Sequence, residues 1–549
     1  MKQLFTPDSS RIGRPSGPVM QDAVPESLVE GTPAKLRNAL VKIVGKDHVY
    51  HRVTDLVRFA SDASPYRYIP SVVVMPHTAE EVAQILAYCR KAGHHATFRA
   101  AGTSMNGQSQ SSDVLIEVRR HWNGCEVLND GAALRTKPGT ILGRANSILA
   151  RKGRRLGPDP ASNATCTIGG VIANNSGGMR CRLERDAYHS LIDCTFVLAS
   201  GTTINTADPA AETQFGKAEP ALAQGLMKLK RELLEDSQLV ERIRRKYSIR
   251  NTHGYRLSAL LDGETPLEIF KRLLVGSEGT LGFIAEATLK TFPAAQILGV
   301  AFLMFPSIDA AITLVPKLVE MGASAVELMV APALKAAAES FEGTPTYWTQ
   351  LDPKASALLV EFEAESLDAL NEKESHVTGE SANWGLLRPV QFTSVAEAVE
   401  LAWHVREGLL GLVGKLRPPG SMLIIEDVCF PQASLAQGVH DLQALLEKHG
   451  FVPGVAGHAA HGNLHFTLVA HLDNEEGRKR YSAFMSELID LVVRKHDGSL
   501  KAEHGTGINM APFVADEWGE KATGMMWRIK ELADPQGVLG PNVILTKNP

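Results

Sequence analysis

The densest group of chemically able side chains lies late in the chain, in Gly457-His-Ala-Ala-His-Gly-Asn-Leu-His-Phe466, and a second follows in Lys501-Ala-Glu-His-Gly-Thr-Gly507. Gly462 permits a turn between His458 and His465, while Leu464, Phe466 and Leu468 alternate with His465 and Thr467 as on a strand. His465 and Thr467 therefore share a face. Two imidazoles and the Glu503 carboxylate, on separate short loops, can hold a divalent metal and leave a position open for a substrate oxygen, as a Lewis-acid site does. Spacing alone equally allows a set of hydrogen-bonded loop residues.

A different chemistry is written into three small-residue stretches upstream: Arg99-Ala-Ala-Gly-Thr-Ser-Met-Asn-Gly-Gln108, then Gly157-Pro-Asp-Pro160 running into Thr167-Ile-Gly-Gly-Val-Ile-Ala-Asn-Asn-Ser-Gly-Gly178, then Val275-Gly-Ser-Glu-Gly-Thr-Leu-Gly-Phe-Ile284. Loops of Gly, Ser and Thr let backbone N–H groups close on a phosphate or pyrophosphate. No Lys-Ser/Thr pair follows the glycines, and their spacing is not that of a dinucleotide-binding strand-to-helix turn. The three loops together read as an anion cradle of another kind.

These stretches resemble the FAD-binding half of the vanillyl-alcohol-oxidase superfamily, and within it the D-lactate and other D-2-hydroxyacid dehydrogenases, over about Ser71 to Leu545. The resemblance implies an α+β flavoprotein: a PCMH-type FAD-binding domain of two subdomains with a cap domain of antiparallel sheet and helices. It implies non-covalent FAD, since Ala100 to Thr103 holds no histidine for attachment. Cofactor contacts are expected from Arg99, Ala101, Gly102, Thr103, Ser104, Gly107 and Gln108 in the first stretch. The second contributes Pro158, Asp159, Thr167, Gly169, Gly170, Asn174, Ser176, Gly177 and Gly178, and the third Glu278, Gly279 and Ile284. The late motifs are similar to the G-H-x-x-x-G-N-L-H and E-H-G motifs of that family, which implies a divalent metal (zinc, manganese or iron) on His458, His465 and Glu503, and His504 as base. Arg406, in Trp403-His-Val-Arg-Glu-Gly408, matches an arginine that contacts the substrate carboxylate. Removing a hydroxyl proton while hydride leaves C2 needs a base and a cation at the substrate oxygens.

The elements that must position these groups follow from periodicity. At 549 residues the chain exceeds one core, and 44% hydrophobic with 21% charged residues suits a globular fold. Four expected units are 1–49, an N-terminal segment; 50–293, the FAD-binding domain; 294–430, the cap; and 431–549, a C-terminal segment carrying metal and base. Ala34 to Val44 reads as a helix and Ser71 to Met75 as a buried strand; Thr78 caps a helix that Gly93 ends. Thr167 to Gly178 reads as a loop, and Arg250-Asn-Thr-His-Gly-Tyr255 as either a solvated turn or a family element. A net charge of −4 excludes a long-range field for nucleic acid. Six scattered cysteines without a C-x-x-C pair argue against an iron–sulfur cluster or disulfide framework and favour a reduced, cytoplasmic setting. No apolar run is long enough to span a bilayer, so any membrane contact is expected to be peripheral.

Three departures sharpen the expectation. His461 stands where the family has an acidic residue before Gly-Asn-Leu-His, which can add a ligand or alter metal choice. Ile425 stands where a lysine grips a second carboxylate, ahead of Asp427-Val-Cys-Phe-Pro431, which favours a small monocarboxylate such as D-lactate over 2-hydroxyglutarate. Similar chains often continue into a cysteine-rich iron–sulfur region, and this one ends at Pro549 without it. Either it is a shortened form, or a stand-alone subunit passing electrons to a quinone, a cytochrome or an iron–sulfur protein; a homo-oligomer is expected. Oxidation of 2-hydroxyglutarate or glycolate, a non-redox flavin transferase and a catalytically silent flavoprotein subunit are the competing readings.

Overall fold

The computed structural model describes residues 24–415, 418, 421–452 and 454–547. Four short strands, β1 (Val49–Tyr50), β2 (Val72–Val74), β3 (Ala96–Arg99) and β4 (Val114–Glu117), form the first sheet in the order β1-β2-β4-β3, with only β1 antiparallel. Val72, Val73 and Val74 are fully buried, as uniform apolar runs in the middle of a covered parallel sheet must be. The helix Ala79–Ala92 covers one face through Val82, Ile85, Leu86 and Cys89. Its start is fixed as expected: Thr78 Oγ1 accepts the Glu81 N–H, and Gly93 ends it in the left-handed region at φ 73°.

The second sheet is antiparallel. Strands β5 (Cys125–Leu128), β6 (Ala133–Thr136), β8 (Leu191–Val197), β9 (Thr203–Asn205) and β10 (Phe283–Lys290) lie in the order β5-β6-β10-β8-β9, while β7 (Arg154–Arg155) pairs with β11 (Phe292–Pro293) as a ribbon. Helices Pro220–Glu235, Pro266–Leu274 and Val514–Ala533 close its core around Phe196, Phe215, Phe270 and Trp518. The expected loop from Thr167 is corrected: Ile168–Asn174 is a helix. Ile168, Val171 and Ile172 fall on one face at helical spacing and are buried, Thr167 caps the start, and Asn175 ends it at φ 53°. The solvated reading of Arg250–Tyr255 is also overturned, since every side chain there is at most 8% exposed.

The third sheet takes β12 (Ile297–Phe305), β13 (Ala325–Val330), β14 (Ser356–Ala364), β15 (Met422–Cys429), β16 (Val455–His458) and β17 (Asn463–Ala470) in the order β12-β14-β13-β16-β17-β15, antiparallel throughout. Its helices Ile308–Glu320, Leu435–Lys448 and Glu475–Ile489 pack on one face. This is the antiparallel sheet backed by helices that the sequence implies. The division expected between 430 and 431 is corrected, because β15 pairs along its length with β17 and the sheet runs across that point. The chain leaves it at Ser499, bridged to Cys429, and returns to the first sheet, where Ala96 donates its N–H to Val538 O.

Candidate functional site

Strand register brings the late motif together. Glu327 on β13 pairs with His458 on β16, and Asp427 on β15 pairs with His465 on β17, so two acids and two imidazoles project from neighbouring positions of one sheet. Gly462 turns the β16–β17 hairpin at φ 68° with Phe430 O pressed against it, so a Cβ has no room there. The segment 501–507 then crosses the sheet end. Asp427 Oδ2 fixes it by accepting the N–H groups of Ala502, Glu503 and His504 at 3.0, 2.7 and 2.9 Å.

Ligand-type atoms of His458, His465 and Glu503 lie within 4.8 Å of one another. Glu503 Oε1 is 2.9 Å from His458 Nε2 and 3.4 Å from His465 Nε2, and its Oε2 accepts the Gly178 N–H at 2.6 Å and faces Arg250 Nη1 at 3.1 Å. Behind the imidazoles, Glu327 Oε1 sits 2.8 Å from His458 Nδ1 and Asp427 Oδ1 sits 3.4 Å from His465 Nδ1. Glu327 behind His458 fixes which of its ring nitrogens faces forward, as a carboxylate behind a metal-bound imidazole does, whereas His465 Nδ1 makes no hydrogen bond. Burial alone would lower the His458 pKa, but Glu327 and Glu503 outweigh it and raise it to about 9. Two anions around one imidazole thus call for a cation, which a proton or a divalent metal supplies; the donor set of two nitrogens and one oxygen fits the latter. His461 does not join the set: its Nε2 is 3.3 Å from Met179 O.

His504 stacks on His465, with ring centroids 4.9 Å apart and 9° between planes. Burial lowers its pKa to about 4, so the ring is neutral at neutral pH, and its Nδ1 is buried without a hydrogen-bond partner. Arg406 donates from Nε to Glu327 Oε2 at 2.8 Å, leaving Nη2 buried without a partner. All five of these side chains line one cavity of about 1360 Å3.

The rest of that cavity wall belongs to the three small-residue stretches of the N-terminal half. Ala101, Gly102, Thr103, Ser104 and Gln108 line it from the first, Thr167, Gly170, Asn174, Ser176 and Gly177 from the second, and Glu278 from the third. Small residues on this wall let backbone N–H groups approach an anionic ligand, and any Cβ at Gly177 would meet Glu503 Oε2 at 2.7 Å. Burial raises Glu278 to about 8, and its Oε2 accepts the Gly507 N–H.

Other expected contacts do not line the cavity, each for a visible reason. Arg99 turns back to donate to Phe59 O and Ser61 O, and Asp159 accepts the Arg180 N–H. Gly107 lies against Ile508 and Tyr66, Gly169 against Pro138, and Gly279 against Phe98. Pro158 is buried in its turn, Gly178 is occupied with Glu503 and Arg250, and Ile284 pairs with Phe196 inside the second sheet. These residues shape the wall from behind.

Sequence reasoning assigned no role to Glu327, Asp427, Asn463 or Arg250. Asn463 Nδ2 donates to Asp427 Oδ1 at 2.5 Å and its Oδ1 accepts from Arg250 Nη1 at 3.1 Å, closing the network. For the two acids the available signal was charge inside an apolar strand: Glu327 alone in Ala325-Val-Glu-Leu-Met-Val330, and Asp427 beside Glu426 in Met422-Leu-Ile-Ile-Glu-Asp-Val-Cys429.

The FAD binding domain family matches residues 70–207, and the C-terminal domain of FAD linked oxidases matches residues 296–544. The chain therefore carries a FAD binding domain and a C-terminal domain of the FAD linked oxidases, in a two-domain α+β fold. Its relatives are dehydrogenases and oxidases of 2-hydroxyacids. D-2-hydroxyglutarate dehydrogenase of Haemophilus influenzae is 25% identical over 529 residues, covering 90% of this chain and 50% of the relative. Glycolate oxidase subunit GlcD of Bacillus subtilis is 24% identical, covering 93% and 97%, and D-lactate dehydrogenase of Archaeoglobus fulgidus 25% identical, covering 87% and 91%. The chain spans about half the length of the first of these relatives. Among solved structures, p-cresol methylhydroxylase with substrate bound superposes with a TM-score of 0.67 at 15% identity, covering 95% of this chain and 99% of that one. Alkyldihydroxyacetonephosphate synthase superposes with a TM-score of 0.60 at 14% identity, covering 93% and 86%. Among the described residues no helix is long and apolar enough to cross a membrane.

Proposed function

We propose that the protein oxidises a small D-2-hydroxyacid, D-lactate before others, to the 2-oxoacid. The observation that carries this is the meeting of a half-buried neutral imidazole, an unpartnered guanidinium nitrogen and a set of three ligand-type donors on the wall of one cavity of about 1360 Å3. FAD, when bound, supplies the two-electron acceptor for the hydride leaving C2.

The protein's own groups divide the remaining work. Arg406 Nη2 holds the substrate carboxylate, since a buried guanidinium N–H without a partner gains a charge-assisted bond there. His504 takes the hydroxyl proton: it is the free base at neutral pH, and Asp427 holds its backbone in place. His458, His465 and Glu503 would hold a divalent metal, zinc, manganese or iron, that draws charge from the hydroxyl oxygen. Ile425 on the cavity wall offers no cation to a second carboxylate, which supports a monocarboxylate substrate. Electrons pass on to a quinone, cytochrome or iron–sulfur partner.

Anaerobic titration of the yellow protein with D-lactate, L-lactate, glycolate and D-2-hydroxyglutarate, with and without chelator, tests this. D-lactate should bleach the flavin, L-lactate should not, and chelator should abolish bleaching. His504→Ala should keep its FAD and lose most of the reduction rate. Bleaching confined to the dicarboxylate would overturn the substrate, and bleaching by none would send the reading to a non-redox flavin enzyme.

A further inference from the structure

Away from the flavin cavity, three histidines from separate elements meet at one end of the first sheet. His48 closes the turn before β1, His77 follows β2, and His121 follows β4. Because β1 runs against β2 while β4 runs with it, the start of β1 and the ends of β2 and β4 share that edge; Val49 pairs with Val74, and Val74 with Ile116. Ring centroids are 4.1 Å apart for His48 and His77, 3.8 Å for His77 and His121, and 5.0 Å for His48 and His121. One ring nitrogen of each lies within 4.8 Å of the other two.

Hydrogen bonding does not account for the arrangement. His48 Nδ1 and His121 Nε2 are both buried without a hydrogen-bond partner, and an orphaned polar atom of that kind is costly. His77 has the opposite equipment: Glu81 Oε2 accepts its backbone N–H at 2.6 Å and lies 3.5 Å from its Nδ1. A carboxylate beside Nδ1 favours the tautomer that leaves Nε2 free as a ligand, a common support for a metal-bound imidazole. The backbones beneath are held by bonds between strands, with Met75 N–H donating to His48 O at 2.9 Å and Trp122 Nε1 to Pro76 O at 2.8 Å. Arg120, the nearby cation, is turned to the Tyr50 hydroxyl at 2.8 Å.

We propose that His48, His77 and His121 form a second metal site, one for a borderline divalent transition ion such as zinc, held by three imidazoles with a fourth position open to water. Imidazole donors favour zinc, copper and nickel over magnesium or calcium, whose oxygen ligands are missing from the trio. The ion would tie the two-residue strand β1 to β2 and β4.

The test counts bound metal on the full chain, stripped with chelator and dialysed against zinc at concentrations that saturate the wild type. His77 is the exposed member of the trio, so His77→Ala should fold, keep its FAD and bind one zinc equivalent fewer than the wild type. The same loss should occur in a His458→Ala background, which separates this site from the one beside the flavin. In the wild type, zinc should protect His48, His77 and His121 from carbethoxylation, a readout that needs no variant. Equal zinc in wild type and His77→Ala, or no protection of the trio, would overturn the proposal, whatever the flavin-side site does.

Discussion

Asp427 makes the sharpest demand on this architecture. One of its oxygens accepts three successive backbone N–H groups, those of Ala502, Glu503 and His504, and the other accepts from Asn463. Burial opposes its charge, yet His504 and His465 outweigh this and hold its pKa well below the usual carboxylate range. Asp427→Asn keeps the shape and removes the charge. If the amide oxygen keeps the three N–H groups, its NH2 must face the NH2 of Asn463, two donors with no acceptor between them. Bonds to a charged acceptor contribute ~1.5–3 kcal/mol and neutral ones ~0.5–1.5, so three exchanges cost about 3 kcal/mol. At ~1.4 kcal/mol per factor of ten, amides 502–504 should exchange roughly 100-fold faster with solvent deuterium, with distant strands unchanged. Hydrogen exchange by mass spectrometry over residues 499–508 reads this directly. Exchange in the Asn variant within threefold of the wild type would mean that the 501–507 crossing is held by something else, and the reasoning would fail.

Two further substitutions probe other parts of the same region. Arg406→Lys can satisfy Glu327 or the substrate but not both, so KM for the hydroxyacid should rise ~10- to 100-fold, the equivalent of one lost charge-assisted bond, with FAD content unchanged; an unchanged KM would remove Arg406 from carboxylate binding. Glu517 is buried against Lys246 and His253 and accepts the Leu500 N–H; burial opposes its charge, but these partners outweigh it and lower its pKa to about 2 from an ordinary 4.5. A carboxylate whose pKa is depressed on folding stabilises fully above the ordinary value, and that stability fades as pH falls from about 4.5 through about 2, amounting to ~3 kcal/mol. Glu517→Gln should therefore lower the melting temperature at pH 7 and flatten its acid decline, and parallel melting curves down to pH 3 would contradict this.

Local signals survived folding where chain neighbours decide the outcome. The Thr78 cap, the Gly93 stop and the alternation of Leu464, Phe466 and Leu468 are set within a few residues, and each stands as read. Ile168–Asn174 was hidden because two glycines diluted a helical face of only three apolar residues; tertiary burial of that face supplies what propensity withheld. The 430/431 division failed for a longer-range reason. A six-stranded sheet whose β15 pairs with β17 across an intervening helix leaves no compositional mark at the crossing. The site shows the same split: His458, His465, Glu503 and His504 were legible from their motifs, whereas Glu327 and Asp427 act through strand register, which a single sequence does not print.

That register explains why Glu503 carries more than its own bonds. Its Oε2 belongs to the flavin half, where it accepts the Gly178 N–H and faces Arg250, and its Oε1 belongs to the cap sheet, where His458 and His465 meet it. Its backbone carbonyl accepts from Asn174 and its N–H donates to Asp427, so the main chain repeats the same division. A carboxylate tied at four points to two domains cannot shift toward one without breaking with the other. The cluster of His458, His465 and Glu503 and the loop wall opposite are thereby held in one frame, and the cost of burying so many charges is offset only while both halves are docked.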